Sequence, residues 1–474
     1  MPDYPEVSFP LDGFLPEPTG ASIREPARDV PVIADCDVAV LGGGPAGACA
    51  AAAAATCGAS VLLIERFGFL GGMSTAGIVN MWHPFYGMDG RTLIMGGFPR
   101  QLVQRLQGMG AVYNTAEDGE TGNWVVCSEH ARFAFDDMVL ASGAKILVNA
   151  HLAGAIRDGR RVTAALIETK SGRGAVLAKS FIDCTGDADL VRRTGVATEL
   201  GGSTGACQAP TLCYRIDNLG PGGLGALAAE LAKHTMNYNG EPFPAFFWGD
   251  RWPGTETEHF AAGTRVLDVN CADALSLTRA EIEARYQLRW VLERARQMPG
   301  WGNLRLVAIA AALGLRESHR IIAEYRVTGD DLLWAKPFED AIAQGTYPID
   351  IHTPGAPGIV FNRLDGTFHR INPDHSTETG RWDGEPLDAP KRDTLCYQVP
   401  LRSLIARDLD NVFAAGRCAG MTHEAAGALR VMVNCMQTGQ AAGVAAALSE
   451  DGNARSATVA QVQDRLRELG MPLR

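Results

Sequence analysis

The chain has little positive charge and no long apolar run, and both absences restrict what it can do. Its 474 residues carry a formal net charge of −11, and basic residues occur at most in pairs such as Arg192-Arg193. Because a nucleic-acid-binding surface needs clustered positive charge, we expect no nucleic-acid partner. The apolar runs are too short to cross a bilayer, so we expect no membrane association.

Paired metal-binding or redox cysteines are also missing. Eleven cysteines are scattered along the chain without a C-x-x-C pair, and the ten histidines contain no H-x-x-x-H spacing. These absences argue against a disulfide framework, a zinc site and a disulfide reductase, so we expect no metal. The acidic, proline-rich stretch 1–20 has no signal-peptide pattern, and with reduced thiols it predicts a cytoplasmic protein.

A glycine-rich turn near the start of the chain is the clearest motif. Residues Gly42–Gly47 match G-x-G-x-x-G and lie between a buried-strand pattern at Asp37–Leu41 and a helical stretch at Ala46–Thr56. A second apolar strand, Ser60–Glu65, ends in an acidic residue 23 positions after Gly42. A glycine turn between strand and helix, followed by this acid, is the fingerprint of a dinucleotide-binding βαβ unit.

The spacing assigns a role to each residue of the fingerprint. Gly42 permits the tight turn, Gly44 lets a pyrophosphate approach the backbone, and Gly47 lets helix and strand pack closely. Glu65 can accept hydrogen bonds from ribose hydroxyls, and its charge would repel the 2′-phosphate of NADP. A second glycine pair, Gly71-Gly72, and a late strand before Gly416 favour FAD over NAD, because FAD needs contacts beyond one βαβ unit.

The composition divides the chain into four segments. Residues 200–395 are richer in Pro, Gly, Trp and Asp, have broken periodicity, and contain one strongly amphipathic stretch at Arg279–Arg296. We predict an α/β protein with a Rossmann-like FAD-binding domain, made of a parallel sheet with helices and a β-meander, plus an inserted α+β substrate domain. The predicted segments are an N-terminal arm (1–34), the first part of the FAD domain (35–199), the substrate domain (200–395), and the second part of the FAD domain with a terminal helix (396–474).

The sequence also resembles a known family over nearly its whole length. In chain order, the segments that carry the resemblance are Arg24–Arg28, Asp37–Gly47, Glu65–Thr75, Thr169–Arg173, Asp183–Asp189, Leu315–Ile321 and Leu409–Gly443. They are similar to the bacterial FAD-dependent oxidoreductases of the fumarate-reductase and glutathione-reductase superfold. The resemblance implies a discontinuous FAD domain that flanks a substrate domain, in agreement with the change in composition.

The resemblance and the fingerprint together predict the FAD contacts. The predicted cofactor-binding residues are Gly42, Gly44, Pro45, Ala46, Gly47, Glu65, Arg66, Gly71, Gly72, Met73, Gly186, Asp187, Gly416, Arg417, Met432 and Val433. By analogy, the helix from Val431 directs its positive N-terminus at the flavin pyrimidine ring. Many members of the superfold have an acid after the late glycine, whereas this chain has Arg417. Three interpretations stay open: Arg417 reaches a phosphate, the backbone alone holds the ribitol, or Asp187 is the ribitol acid.

Four residues are candidates for catalysis. His423, between the late loop and the last long helix, is the first candidate for a base or a substrate contact. Arg316 is suited to bind a carboxylate, although a structural ion-pair network explains it equally well. His352 and His83 are further candidates for the lining of the active site. For His423 the alternative is a structural bond to the loop backbone.

The sequence predicts hydride transfer between a small organic substrate and flavin N5. An NAD(P)H-dependent flavin monooxygenase is the first alternative, disfavoured because no second G-x-G-x-x-G lies between a strand and a helix. A non-catalytic FAD-fold binding protein is a second, disfavoured by the intact fingerprint with Glu65. A homodimer is a common state for such enzymes.

Overall fold

The structure is a computed structural model that describes residues 13–234 and 247–474. Most of the predicted arm is therefore described, and its first residues, 1–12, lie outside the described part. The first strand begins at Val32 and not at Asp37, so regular structure starts inside the segment that was predicted to be an arm. A proline-rich lead-in thus continues directly into the central sheet.

Helices and strands alternate at both ends of the chain, whereas short strands predominate in its middle. The helices are α1 (Pro45–Thr56), α2 (Phe98–Gly108), α3 (Ser128–Ala141), α4 (Asp189–Arg193), α5 (Gly223–Leu231), α6 (Ala274–Gln297), α7 (Gly329–Leu333), α8 (His423–Leu429), α9 (Met432–Leu448) and α10 (Val459–Glu468). The strands are β1 (Val32–Leu41), β2 (Val61–Ile64), β3 (Met81–Trp82), β4 (Val112–Asn114), β5 (Trp124–Val126), β6 (Lys145–Leu147), β7 (His151–Asp158), β8 (Arg161–Thr169), β9 (Gly172–Asp183), β10 (Thr198–Leu200), β11 (Cys213–Asp217), β12 (Trp248–Arg251), β13 (His259–Ala262), β14 (Arg305–Ile309), β15 (His319–Ile321), β16 (Ala341–Gly345), β17 (Ile349–His352), β18 (Ile359–Asn362), β19 (Thr367–Ile371), β20 (Thr377–Arg381), β21 (Tyr397–Pro400) and β22 (Val412–Ala414).

A seven-stranded sheet organises the dinucleotide-binding region. Its order is β6-β2-β1-β9-β8-β7, and β22 pairs with β9 beside this path. Strands β6, β2, β1, β9 and β22 run parallel, whereas β7, β8 and β9 form an antiparallel meander. This confirms the predicted Rossmann-type α/β fold with a β-meander. The carboxyl ends of four strands meet at one edge, where Leu41 is paired with Ile64 and Asp183, and Ala414 with Asp183.

Residues 198–234 and 247–400 build further, mainly antiparallel layers. One four-stranded sheet has the order β12-β13-β11-β14 and shares an apolar cluster with α5 and α6, and a second runs β17-β18-β19-β20. The amphipathic helix begins after the N-cap Asp273, whose side chain accepts a hydrogen bond from the Ser276 amide. The helix begins five residues earlier than predicted, because the prediction did not recognise Asp273 as the N-cap. The broken periodicity of this region arises from its short strands.

Helices α1 and α9 hold the two ends of the chain together through glycine contacts. A Cβ atom at Gly439 would lie 2.0 Å from the carbonyl oxygen of Ala46, and one at Gly443 would lie 2.2 Å from that of Ala50. Only hydrogen at these positions allows the two backbones to approach so closely. The two helices therefore run side by side in the same direction, with the first turn of α1 against Gly439 in the middle of α9. Within the described ranges, no helix has the length and apolarity needed to cross a membrane.

We predict that Gly443→Ala lowers the free energy of unfolding by about 1–3 kcal/mol, because the added methyl overpacks the contact with Ala50. The matched control is Gly225→Ala on α5, where no atom lies within 4 Å of the new Cβ. There we expect a gain of up to about 1 kcal/mol from helix propensity. Chemical denaturation measures both changes, and equal effects of the two substitutions would contradict the packing argument.

Candidate active site

A cavity of about 600 Å³ lies where the strands of the main sheet end. Its walls come from the glycine turn after β1, the end of β2, the loop after β9, the segment after β22 and the start of α9. The rest of the lining includes Arg316, Tyr347 and His352 from the later layers, and His83 from the segment after β3. Parallel α/β sheets bind ligands at this edge, so the topology itself marks the cavity as the functional site.

The glycine turn approaches its surroundings as a dinucleotide motif requires. Gly42 has φ +98°, and a Cβ there would lie 2.4 Å from the carbonyl oxygen of Cys184. A Cβ at Gly47 would lie 1.7 Å from the carbonyl oxygen of Gly42. Gly44 is the N-cap of α1, and Pro45 occupies the first turn. The turn therefore presents bare backbone and a helix N-terminus to the cavity, an arrangement suited to a pyrophosphate.

Glu65 connects the second strand to this turn. Its Oε2 accepts a hydrogen bond of 2.6 Å from the Gly43 amide, and its Oε1 accepts one of 2.8 Å from the Phe67 amide. Burial raises the pKa of Glu65 above its ordinary value, although the hydrogen bonds from the Phe67 and Gly43 amides act to lower it. The carboxyl group also lines the cavity, so it supports the turn and remains available to ribose hydroxyls.

Arg417 is held by Asp187 and is not a free cation. Its Nη2 lies 2.8 Å from Oδ1 of Asp187, which also accepts a hydrogen bond from the Ser318 hydroxyl. Burial acts to raise the pKa of Asp187, but the adjacent Arg417 charge outweighs it and lowers the pKa. Nη1 of Arg417 is buried and has no partner in the described part of the chain. This donor fits a phosphate or ribitol oxygen of a bound dinucleotide.

Most of the predicted cofactor residues lie on the cavity wall, and four lie behind it. The lining includes Gly42, Gly44, Pro45, Ala46, Glu65, Arg66, Gly72, Met73, Gly186, Gly416, Arg417 and Met432. Gly47 packs against the turn, and the Gly71 amide donates a hydrogen bond of 2.8 Å to the Gly43 carbonyl. Asp187 acts through Arg417, and Val433 is fully buried in α9. These four support the wall and do not form it.

A polar cluster around Asp350 occupies the wall opposite the glycine turn. Oδ2 of this carboxylate accepts a hydrogen bond of 3.0 Å from the Tyr347 hydroxyl and lies 3.1 Å from Nη2 of Arg430. Nε2 of His352 lies 3.2 Å from Oδ1. All four side chains line the cavity. Although burial opposes ionisation, the contact with His352 and the charges of Arg430 and Arg316 lower the pKa of Asp350, so the carboxylate is an acceptor at neutral pH.

His352 is oriented by this carboxylate. Because ionised Asp350 can only accept, the contact with Oδ1 favours the tautomer that carries its hydrogen on Nε2 and keeps a lone pair on Nδ1. Nδ1 is buried without a hydrogen-bond partner among the described residues. Burial and the charge of Arg316 lower the pKa of His352 well below 6.5, so the ring is neutral at neutral pH. This arrangement is a held imidazole with an unused basic nitrogen.

His83 and Arg316 also lie at this wall. The rings of His83 and Tyr347 are 3.9 Å apart between centroids, and burial lowers the pKa of His83 to about 4. Nη1 of Arg316 donates to the carbonyl oxygen of Ala209 and to the Thr211 hydroxyl. The neighbouring carboxylate of Glu317 pairs with Arg320 and His423.

His423 lies outside the cavity wall, unlike the other three candidates. Its Nδ1 is 2.9 Å from Oε1 of buried Glu317, which also pairs with Arg320 at 3.0 Å. The same carboxylate accepts a hydrogen bond of 2.7 Å from the Gln208 amide. His423 thus belongs to a buried network of ion pairs that connects α8 to Glu317 and, through it, to Arg320 in β15. The structure thus places the ring against Glu317 and away from the cavity lining, and the role of His423 as a base or substrate contact stays a prediction.

Sequence reasoning did not single out Asp350, Arg430 or Arg265 as site residues. A signal existed for Asp350, because it lies two positions before His352 in β17 and alternate strand residues share a face. Arg430 directly precedes α9, so its position at the helix N-terminus was also readable. Arg265 lies in a loop after β13, and its proximity to the others is a product of tertiary folding alone.

The cavity is therefore a Rossmann-type dinucleotide site, assembled from both ends of the chain and closed by a polar wall. A family described as "FAD dependent oxidoreductase" matches residues 37–468. The chain belongs to this family and is an FAD-dependent redox enzyme. The bare glycine turn, the two helix N-termini and the unpaired Arg417 donor fit FAD.

Comparison with known proteins gives distant similarities only. No curated protein sequence matches the chain. A geranylgeranyl bacteriochlorophyll reductase-like protein from Thermoplasma acidophilum is 15% identical, covering 92% of this chain and 83% of that one, with a TM-score of 0.45. A triple mutant of the flavin-dependent brominase Bmp2 is 11% identical over 91% and 84%, with a TM-score of 0.43. The p-nitrophenol 4-monooxygenase from Pseudomonas putida is 13% identical over 62% and 70%, with a TM-score of 0.36. These similarities are too distant to indicate a reaction.

We predict that Arg417→Met weakens FAD retention and lowers the free energy of unfolding by about 3–5 kcal/mol, because it leaves Asp187 buried and unpaired. The double variant Asp187→Asn/Arg417→Met removes the unpaired charge, so stability should largely recover. FAD affinity should not recover, because the Arg417 donors are still missing. Denaturation of the apoprotein and titration with FAD separate the two effects, and full recovery of FAD affinity would refute a direct cofactor contact.

Proposed function

We propose that this enzyme transfers a hydride between a small organic substrate and N5 of bound FAD, with His352 as the base. Bound FAD supplies the two-electron acceptor. The observation that carries the proposal is the neutral, oriented His352 ring, whose unpartnered Nδ1 belongs to a wall of the FAD cavity. An alcohol or amine substrate that loses hydride from its carbon atom must also lose a proton from its oxygen or nitrogen atom. Nδ1 of His352 is placed to receive that proton.

The surrounding residues have separate roles in this scheme. Asp350 holds the productive tautomer of His352 and balances the imidazolium charge that forms when Nδ1 is protonated. Tyr347 and Arg430 fix the carboxylate through its second oxygen. His83, neutral and in tilted ring contact with Tyr347, closes the wall against water. His423 receives no role in contact with the substrate.

Anaerobic mixing of the FAD-loaded enzyme with a panel of small alcohols, amines and organic acids tests the reaction. We expect at least one compound to bleach the flavin absorbance and to be recovered as its two-electron oxidised product. NAD(P)H with and without oxygen forms a separate arm. Flavin bleaching by NAD(P)H alone, with oxygen incorporated into an added organic compound, would contradict the proposal and identify a monooxygenase.

For His352→Gln we expect flavin reduction by the active compound to slow by about 10²–10⁴-fold, because the proton acceptor is removed. FAD content should stay unchanged, since the imidazole does not support the glycine turn. His259→Gln, which alters a histidine outside the cavity lining, is the matched control and should react as the wild type does. Stopped-flow absorbance measures the rates. A wild-type rate in the His352 variant would exclude this residue as the base.

The pH profile provides a further test. A base acts in its deprotonated form, so the rate is high above its pKa and falls as the pH drops through it. Because the pKa of His352 is held well below 6.5, kcat/KM should stay level from about pH 8 down to about pH 6. In Arg316→Met the loss of a nearby positive charge should raise this pKa and move the acid limb to higher pH. An acid limb near pH 6.5 in the wild type would show that an ordinary, unperturbed histidine is acting.

A further inference from the structure

Three arginines from separate parts of the chain converge at the polar wall. Arg265 follows β13, Arg316 precedes β15, and Arg430 lies between α8 and α9. Arg265 is 3% exposed and Arg316 is 9% exposed. Burial lowers the pKa of both guanidinium groups, and the charges of the other arginines lower it further. Such a cluster is costly to bury unless negative charge balances it.

The described residues provide only part of that balance. Asp350 is the carboxylate paired with this group, through Arg430 at 3.1 Å. Arg316 donates instead to a neutral carbonyl and a neutral hydroxyl. His352 and His83 are neutral at pH 7. Three guanidinium groups against one carboxylate leave a surplus of two positive charges.

Several guanidinium N–H donors of the three arginines also lack a hydrogen-bond acceptor among the described residues. Nε and Nη1 of Arg265 and Nε of Arg430 are buried and lack a hydrogen-bond partner within residues 13–234 and 247–474. Buried donors without acceptors are rare, because each forfeits its hydration without return. Arg316 and Arg430 line the cavity, so a ligand there can reach the cluster. The charge surplus and the unpaired donors identify the same missing component, an anion with several acceptor oxygens.

We propose that the substrate is a small organic carboxylate, held by Arg316 and Arg430 with Arg265 adding positive charge behind them. This inference rests on the proposed function and names the substrate class of the same site. Guanidinium groups match carboxylate oxygens in charge and geometry. A dianion neutralises the full surplus and binds more tightly than a monoanion. The bound carboxylate places the rest of the substrate between His352 Nδ1 and the flavin pocket.

Titration of the FAD-loaded enzyme with non-reacting carboxylates tests the proposal without knowledge of the substrate. The probes are sodium malonate, sodium acetate and the neutral isostere malonamide, at constant ionic strength set with sodium chloride. We expect malonate to perturb the absorbance spectrum of the bound flavin and to raise the melting temperature. Acetate should act more weakly, and malonamide should have no effect.

Variants assign the effect to the cluster. Arg316→Met should raise the dissociation constant of malonate about tenfold or more, because a charge-assisted contact is lost. Arg316→Lys keeps the charge and should recover part of the affinity. Arg467→Met, which removes a surface partner of Asp464 on α10, is the matched control and should bind malonate as the wild type does. FAD content and circular dichroism verify that each variant is folded.

Two results would overturn the carboxylate assignment. One is a flavin spectrum that malonate leaves unchanged, and the other is an equal response to malonamide or chloride. Either would mean that the surplus charge serves the flavin alone. The proposed function fails separately, if no compound reduces the flavin although malonate binds. If a neutral compound reduces the flavin while malonate does not bind, hydride transfer stands and the carboxylate inference falls.

Discussion

The contact between α1 and α9 is the constraint on which the site depends. Gly439 and Gly443 bring the backbone of α9 against the carbonyl oxygens of Ala46 and Ala50, where a single methyl group would not fit. This packing holds a helix from the last part of the chain beside the helix that follows the glycine turn, and the first residue of each helix, Met432 and Pro45, lines the cavity. The FAD cavity lies between these elements, so residues far apart in sequence share one wall.

The cavity combines two electrostatic environments. Near the glycine turn, charge is balanced internally, since Glu65 accepts from the Gly43 amide and Asp187 pairs with Arg417. At the opposite wall, Arg265, Arg316 and Arg430 exceed the single carboxylate of Asp350. A neutral His352 persists beside these cations because protonating it would add a further positive charge to a buried cluster. The same surplus that attracts an anion therefore keeps the imidazole in its basic form.

The fate of the four catalytic candidates shows the limits of reading a site from sequence. His352 and His83 lie in the cavity wall, while His423 turns toward Glu317. Position along the chain predicts which loop carries a residue but not the direction of its side chain. Direction depends on the partner that the side chain meets, and Glu317 comes from a segment more than a hundred residues earlier.

The sequence by itself determined the fold class, the FAD cofactor and the glycine turn, because strand, turn and helix there are specified within about thirty consecutive residues. The tertiary structure alone decided the partner of Arg417, the partner of His423 and the convergence of three arginines. Those features depend on distances between segments that are remote in sequence, and local pattern carries no information about such distances. The FAD site is thus encoded mainly in local chain geometry, and the substrate wall in long-range packing.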